Sequence, residues 1–177
     1  MLKIIVRGGG DLATGVIHRL WGAGFKVLVL ECAKPAAIRR QVALCEAVYQ
    51  GSAQVEGLTA RLISSLAEAD AVWEHDEVPV LVDAAAESVH AFAPDIVIDA
   101  IIAKRNLATS STMAPLVIAL GNSSDNFFSQ ILATKYNSTG INYISNAMSF
   151  CYLADSFADF FADRIQQGCF LLIYLSG

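Results

Sequence analysis

The sequence predicts an α/β protein, a Rossmann-like doubly wound parallel sheet followed by an atypical or truncated C-terminal segment. Three observations carry this. Short apolar runs rich in β-branched residues recur along the chain, three of them ending in an acidic residue. Helix-period segments alternate with them. A glycine cluster joins the first run to the first helix.

The first run, Leu2–Val6, is apolar apart from Lys3, as expected for a strand covered on both faces. Gly8, Gly9 and Gly10 break it. Leu12, Val16 and Leu20, with Ala13 and Ile17, then repeat at helical spacing until Gly22 and Gly24. Lys26–Leu30 is a second buried strand, closed by Glu31, which completes a strand–turn–helix–strand unit. Pro35 is placed to start a helix over Ala36–Cys45, with Arg39 and Arg40 on its exposed face or, alternatively, in a phosphate role near Glu31. Two short strands around Glu56-Gly57 read as a hairpin. Ser64 is a candidate N-cap for a helix over Leu66–His75. Pro79–Val82 is a third parallel strand, followed by Asp83 as either a crevice residue or a cap for the next helix, Ala84–Phe92. Pro94 ends that helix. Asp95–Ile98, ending in Asp99, and Pro115–Leu120 are the fourth and fifth strands.

The composition changes near residue 120. All 14 valines lie at or before Val117 and all seven glutamates at or before Glu87, whereas seven of nine Phe and five of six Asn follow Leu120. The chain therefore divides into a nucleotide-binding domain over residues 1–120 and a divergent segment over 121–177, whose fold the sequence leaves open beyond a weak helical pattern over Ala147–Ile165. Two readings fit the break. One is a subdomain of different make-up. The other is a tail that does not naturally continue the domain, since Phe, Asn, Ile, Tyr, Ser and Lys are the residues of AT-rich codons.

The totals exclude several classes. With 55% hydrophobic and 16% charged residues among 177, the chain is not disordered. Twelve Lys+Arg against 17 Asp+Glu give a net charge of −5 and no footprint for nucleic acid. The mean hydropathy of +0.49 raises a membrane question. No stretch of about 20 mainly apolar residues answers it. With no leader pattern at Met1, the expected location is cytoplasmic. Cys32, Cys45, Cys151 and Cys169 form no CxxC pair, and His18, His75 and His90 have no ligand spacing, so no metal site is expected.

The strongest motif is Gly8-Gly9-Gly10-Asp11-Leu12-Ala13, which fits G-x-G-x-x-A. The first glycine permits the tight turn and the second the approach of a phosphate. The third small residue lets helix and sheet pack closely. A pyrophosphate would sit on the helix N-terminus, and Glu31 is placed for ribose hydroxyls. A carboxylate at Asp11 repels phosphate, so a helix-capping role is expected for it. Asp99, Lys104, Arg105 and Asn106 lie beyond the end of a buried strand, where ligands of open α/β sheets bind. The basic pair could clamp an anion or simply be surface. The residues single out no catalytic group; Lys104 is the sole proton donor worth testing.

Several separated blocks resemble one family. Ile5-Val6-Arg7-Gly8-Gly9-Gly10-Asp11-Leu12-Ala13-Thr14-Gly15, Ala37-Ile38-Arg39-Arg40, Glu46-Ala47-Val48-Tyr49, Asp99-Ala100-Ile101-Ile102-Ala103-Lys104-Arg105-Asn106-Leu107 and Met113-Ala114-Pro115-Leu116-Val117-Ile118 look like the YqeB-type accessory proteins of selenium-dependent molybdenum hydroxylases. The resemblance implies a role in molybdenum cofactor maturation. The cofactor would be a molybdopterin dinucleotide or an NAD(P)-like dinucleotide, held by Gly8, Gly9, Gly10, Asp11, Ala13, Thr14 and Glu31. Asp99, Lys104, Arg105 and Asn106 would meet the ligand's far end or the hydroxylase apoenzyme. A homo-oligomer through an exposed sheet edge is a further expectation. After the last block, Gly121-Asn122-Ser123-Ser124-Asp125-Asn126 departs from the family's Gly-rich continuation. An NAD(P)-dependent oxidoreductase and a non-catalytic nucleotide-binding regulatory module are the alternative functions.

Overall fold

The computed structural model describes residues 2–103 and 105–121 and the backbone of two later strands. Its strands are β1 (Lys3–Arg7), β2 (Lys26–Glu31), β3 (Ser52–Val55), β4 (Leu58–Ile63), β5 (Val78–Val82), β6 (Ile96–Asp99), β7 (Leu116–Gly121), β8 (Tyr143–Ile144) and β9 (Leu171–Tyr174). The helices are α1 (Asp11–Gly22), α2 (Ala47–Gln50), α3 (Ala69–Glu74) and α4 (Val89–Phe92). The sheet order is β3-β4-β5-β2-β1-β6-β7-β9-β8, and every pairing is parallel except the β3–β4 hairpin. This is an α/β arrangement compatible with a Rossmann-like fold. Lys104 and the helical pattern over Ala147–Ile165 lie outside the described residues.

The continuous apolar runs are explained by burial on both faces. Ile4 and Val6, Val27 and Val29, and Ile96 and Ile98 pack with Ile17 and Leu20 of α1. The residues between them, Ile5, Leu28 and Val97, face the other way and pack with Val72, Val89 and Phe92. Side chains of a strand alternate between faces, so a strand covered on both sides must be apolar at every position.

The chain builds outward from β1 through β2 to β5, then crosses back to lay β6 against the other side of β1. Arg7 is registered with Leu30 on one side and Asp99 on the other. The loops after β1 and β6 therefore part at the point where the strand order reverses, where open α/β sheets hold their ligands.

The hairpin forms at Glu56-Gly57, whose φ angles of 48° and 87° are both positive, as a two-residue primed turn requires. Other expectations are corrected. No helix covers Ala36–Cys45. Two short 3₁₀ turns, Arg40–Val42 and Leu44–Glu46, are separated by an extended Ala43, and the α-helix begins only at Ala47. Tertiary acceptors take the N–H groups that a helix would use: Leu44 donates to Thr14 Oγ1 at 3.0 Å and Cys45 to Gly9 O at 2.8 Å. Arg39 and Arg40 are exposed, but not on a helix face. The helix expected from Leu66 starts as a 3₁₀ turn and is α-helical from Ala69; Ser64 is not its cap, its N–H donating instead to Glu68 Oε1 at 3.1 Å. Ala84–Phe92 is helical only over Val89–Phe92. Before it, Asp83 accepts the N–H groups of Glu87 at 3.0 Å and Ser88 at 2.8 Å, the capping reading of the two left open.

Candidate functional site

The three glycines after β1 serve three different ends. Gly8 has φ of 95°, and a Cβ there would lie 3.1 Å from the Ala100 carbonyl oxygen. It is glycine because of its backbone conformation and because the two strand-end loops touch at that point. Gly9 is crowded: a Cβ would lie 3.0 Å from the Cys45 backbone nitrogen. Gly10 meets neither constraint. It is the N-cap of α1 with φ of −65°, and a Cβ there would find nothing within 4 Å.

Gly10 instead faces a cavity of about 330 Å³ above the end of β1. The glycine turn and Asp11 form one side, Glu31 and Cys32 another, and Pro35–Ile38 a third, while Ala100–Ile102 closes it from the β6 loop. Ile38, 99% exposed, stands at its rim. The volume lies at the lower end of small-molecule pockets, about 300–1,000 Å³.

The polar groups of this cavity are sorted by the fold. Glu31 accepts the Gly9 N–H on one oxygen at 2.8 Å and the Cys32 N–H on the other at 2.7 Å. A carboxylate has about four lone-pair positions, so half of its acceptor capacity remains. At the start of α1 the Leu12 N–H is taken by Asp11 Oδ1 at 2.9 Å and the Asp11 N–H reaches its own carboxylate, whereas those of Gly10 and Ala13 donate to no acceptor among the described residues. The positive end of the helix dipole is thus open toward the cavity.

Asp11 is the first residue of α1, not its cap, because Gly10 holds that place without a side-chain bond. Its other oxygen pairs with Arg39 Nε at 2.8 Å, and this guanidinium draws the Asp11 carboxyl below its ordinary value. Ala13 is buried against the sheet. The Thr14 hydroxyl donates to Gly10 O at 2.8 Å and accepts from Leu44 N–H, binding the turn to the segment behind it. Cys45 lines the same cavity, with its thiol pushed up to about 11 by burial and by the charges of Glu31 and Glu46. The Cys32 thiol is raised as well, chiefly by burial.

The block after β6 is organised differently. Asp99 Oδ1 accepts the Ile101 N–H at 3.0 Å, and its other oxygen accepts the Thr109 hydroxyl. Asn106 bonds both the N–H and the C=O of Thr109, at 2.8 and 3.1 Å. Arg105 is exposed. Asp99 and Asn106 therefore hold the loop together, while Ala100–Ile102 is its contribution to the cavity wall. Ile102 adopts φ of 55°, a strained conformation for a β-branched residue.

Sequence reasoning missed the residue at the centre of this network. Arg7, 1% exposed at the end of β1, donates from Nη1 to the Thr109 hydroxyl and from Nη2 to the carbonyls of Leu107 at 2.7 Å and Ala84 at 3.0 Å. The signal was present: a charged residue follows the apolar Ile4-Ile5-Val6 of a strand covered on both faces. Thr109 and the Leu44–Cys45 segment behind Gly9 gave no such signal, since only long-range contacts bring them in.

Elsewhere among the described residues, no three His, Cys, Asp or Glu side chains gather where a metal ion could be held, and no helix is long and apolar enough to cross a membrane. A shallower hollow beside His90, Asp95 and Thr112 lies at the opposite, entering ends of β6 and β7, away from the glycine turn.

No protein-family model matches the chain. Over 118 residues, 67% of its length, it is 50% identical to the protein named "Uncharacterized protein YqeB" of Escherichia coli (strain K12). The chain spans 22% of that relative's length. The matched stretch is close in length to the portion before the change of composition, and at this identity the two sequences are homologous over it.

Proposed function

We propose that this chain binds a nucleotide at the glycine turn, namely a dinucleotide form of the molybdenum cofactor or a related nucleotide, as an accessory in the maturation of a selenium-dependent molybdenum hydroxylase. The observation that carries the binding reading is Gly10. Neither its φ nor any neighbour demands glycine there, yet the missing side chain opens the cavity at a helix start where the Gly10 and Ala13 N–H groups have no acceptor among the described residues. That is where a pyrophosphate needs space and donors. Gly10 and Ala13 would supply their N–H groups to the phosphates, and the remaining lone pairs of Glu31 would accept ribose hydroxyls. The bound group would bring its own molybdenum chemistry; the chain's part is to hold, orient and hand it on. The hydroxylase assignment rests on the block-wise resemblance; the identity to YqeB supports the likeness to that protein.

The test is a calorimetric titration of the full chain with a cytosine-containing molybdopterin dinucleotide, NAD(H) and NADP(H), beside a Gly10→Val variant. The molybdopterin dinucleotide is expected to bind, and the valine to abolish binding without unfolding the chain. Tight nicotinamide binding with hydride turnover would overturn this reading in favour of an oxidoreductase. Nucleotide binding that is indifferent to Gly10→Val would remove the cavity from it.

A further inference from the structure

Arg39 and Arg40 are adjacent and exposed, yet they are engaged differently. Arg40 grips Glu46 with two prongs, Nε at 2.8 Å and Nη2 at 2.9 Å, and its guanidinium lies 5.0 Å over the Tyr49 ring. Arg39 donates only its Nε, to Asp11 Oδ2 at 2.8 Å; its two Nη groups donate to no described residue. Its side chain is 67% exposed.

The position of Arg39 follows from the loop that carries it. Pro35–Ile38 forms a wall of the cavity, and the Pro35 carbonyl is held by the Tyr49 hydroxyl at 2.8 Å. The next residue, Arg39, reaches back to the first residue of α1. It therefore lies beside the cavity, joined through Asp11 to the lining rather than part of it.

Asp11 is an obstacle to any anion at this helix terminus, and Arg39 removes the obstacle. The ion pair neutralises the carboxylate. Because it uses the Nε edge, it leaves the Nη pair as a planar two-pronged donor, the geometry that takes a phosphate bidentately. Resting on the nucleotide reading above, we propose that Arg39, at the edge of this cavity, is its phosphate-binding side chain and that Asp11 is the positioning residue of Arg39. The ligand class is one carrying a pyrophosphate or a terminal phosphate.

Calorimetry on the full chain with inorganic pyrophosphate, CDP and ADP, and with cytidine and adenosine as phosphate-free controls, tests this. Arg39→Gln is expected to weaken the phosphate-bearing probes about tenfold or more and to leave any nucleoside binding unchanged. Arg39→Lys is expected to stay weakened, because an ammonium cannot fork. Arg40→Gln removes the same charge one residue away and is expected to change binding less than about twofold, since this surface charge is already paired. In an Asp11→Asn background the Arg39→Gln loss is expected to shrink, because the fork is no longer held.

Phosphate binding unaltered by Arg39→Gln, or equally reduced by Arg40→Gln, overturns the role of Arg39. An undiminished Arg39→Gln loss beside Asp11→Asn overturns the role of Asp11. If the unaltered chain binds none of the phosphate probes, the nucleotide reading itself falls and takes this inference with it. If the chain binds them, Gly10→Val abolishes binding and Arg39→Gln does not weaken it, only this inference falls.

Discussion

The loops after β1 and β6 leave neighbouring strands side by side, yet they dispose of their polar groups in opposite ways. The β6 loop spends its polar groups on itself. Asp99, Asn106 and Thr109 bond one another and the local backbone, and Arg7 ties them to the carbonyls of Ala84 and Leu107. The β1 loop leaves the N–H groups of Gly10 and Ala13, two residues that line the cavity, without an acceptor among the described residues and gives up those of Gly8, Gly9 and Leu12. A ligand crevice needs both kinds of loop. One is a wall braced by its own hydrogen bonds, and the other is a surface with donors still unspent among the described residues.

The sharpest way to break this contrast is to remove the anchor of the wall. Arg7→Met takes away a buried donor with three acceptors and leaves those acceptors unsatisfied. Stability in urea is expected to fall by about 3 kcal/mol or more. A loss below about 1 kcal/mol would mean that the β6 loop stands without Arg7 and that the contrast is misdrawn.

The glycines come next. Gly8→Ala imposes a positive φ on alanine, about 1–2 kcal/mol, and drives a Cβ toward the Ala100 carbonyl, so a total loss of about 2–3 kcal/mol is expected. Gly10→Ala is expected to stay within about 0.5 kcal/mol. Equal losses at the two positions, by the same urea midpoint measurement, would erase the distinction between a glycine kept for the fold and one kept for a ligand.

A smaller effect belongs to Asp83, which caps the turn before α4. Burial raises its carboxyl, but hydrogen bonds from the Ser88 hydroxyl, Ser88 N–H and Glu87 N–H outweigh this and leave it below its ordinary value of 3.8. A carboxyl depressed in the folded state stabilises the fold above its unfolded value, and that stability is lost as pH falls through the folded one. Asp83→Ala is therefore expected to cost about 1 kcal/mol at pH 7, and the difference from the unaltered chain is expected to fade below about pH 4. Thermal melts of both proteins across that range provide the check.

The smallest effect concerns the cavity thiols. Cys45 is buried with its thiol pushed up to about 11, so it stays protonated at neutral pH. Peptide mapping after iodoacetamide treatment at pH 7.5 is expected to find Cys45 alkylated more slowly than the half-buried Cys32. Addition of a ligand that fills the cavity is expected to slow Cys32 as well.

Much of the frame was legible in the residues. Ile4-Ile5-Val6, Val27–Leu30 and Ile96–Ile98 are apolar at every position, and only a sheet covered on both faces requires that. Glu56-Gly57 between two short runs specifies its own turn. The failures share one physical cause. Ala36–Cys45 has good helical residues, but Leu44 and Cys45 N–H groups find better partners on Thr14 and Gly9, and local propensity is a weak term beside such contacts. Asp99 and Asn106 read as ligand residues because their position beyond a strand end is right; that their bonds go to the loop itself depends on Thr109 and Arg7.

The sequence by itself determined the α/β alternation, the parallel pairing of its buried strands and the glycine turn that opens α1, because these rest on periodicity and on local backbone freedom. Only the tertiary structure decided which glycine is free for a ligand, which N–H groups remain unspent, that Arg39 meets Asp11, and that Arg7 holds the neighbouring loop. Those outcomes depend on residues far apart in the chain competing for the same donors and acceptors, and no local pattern records who wins.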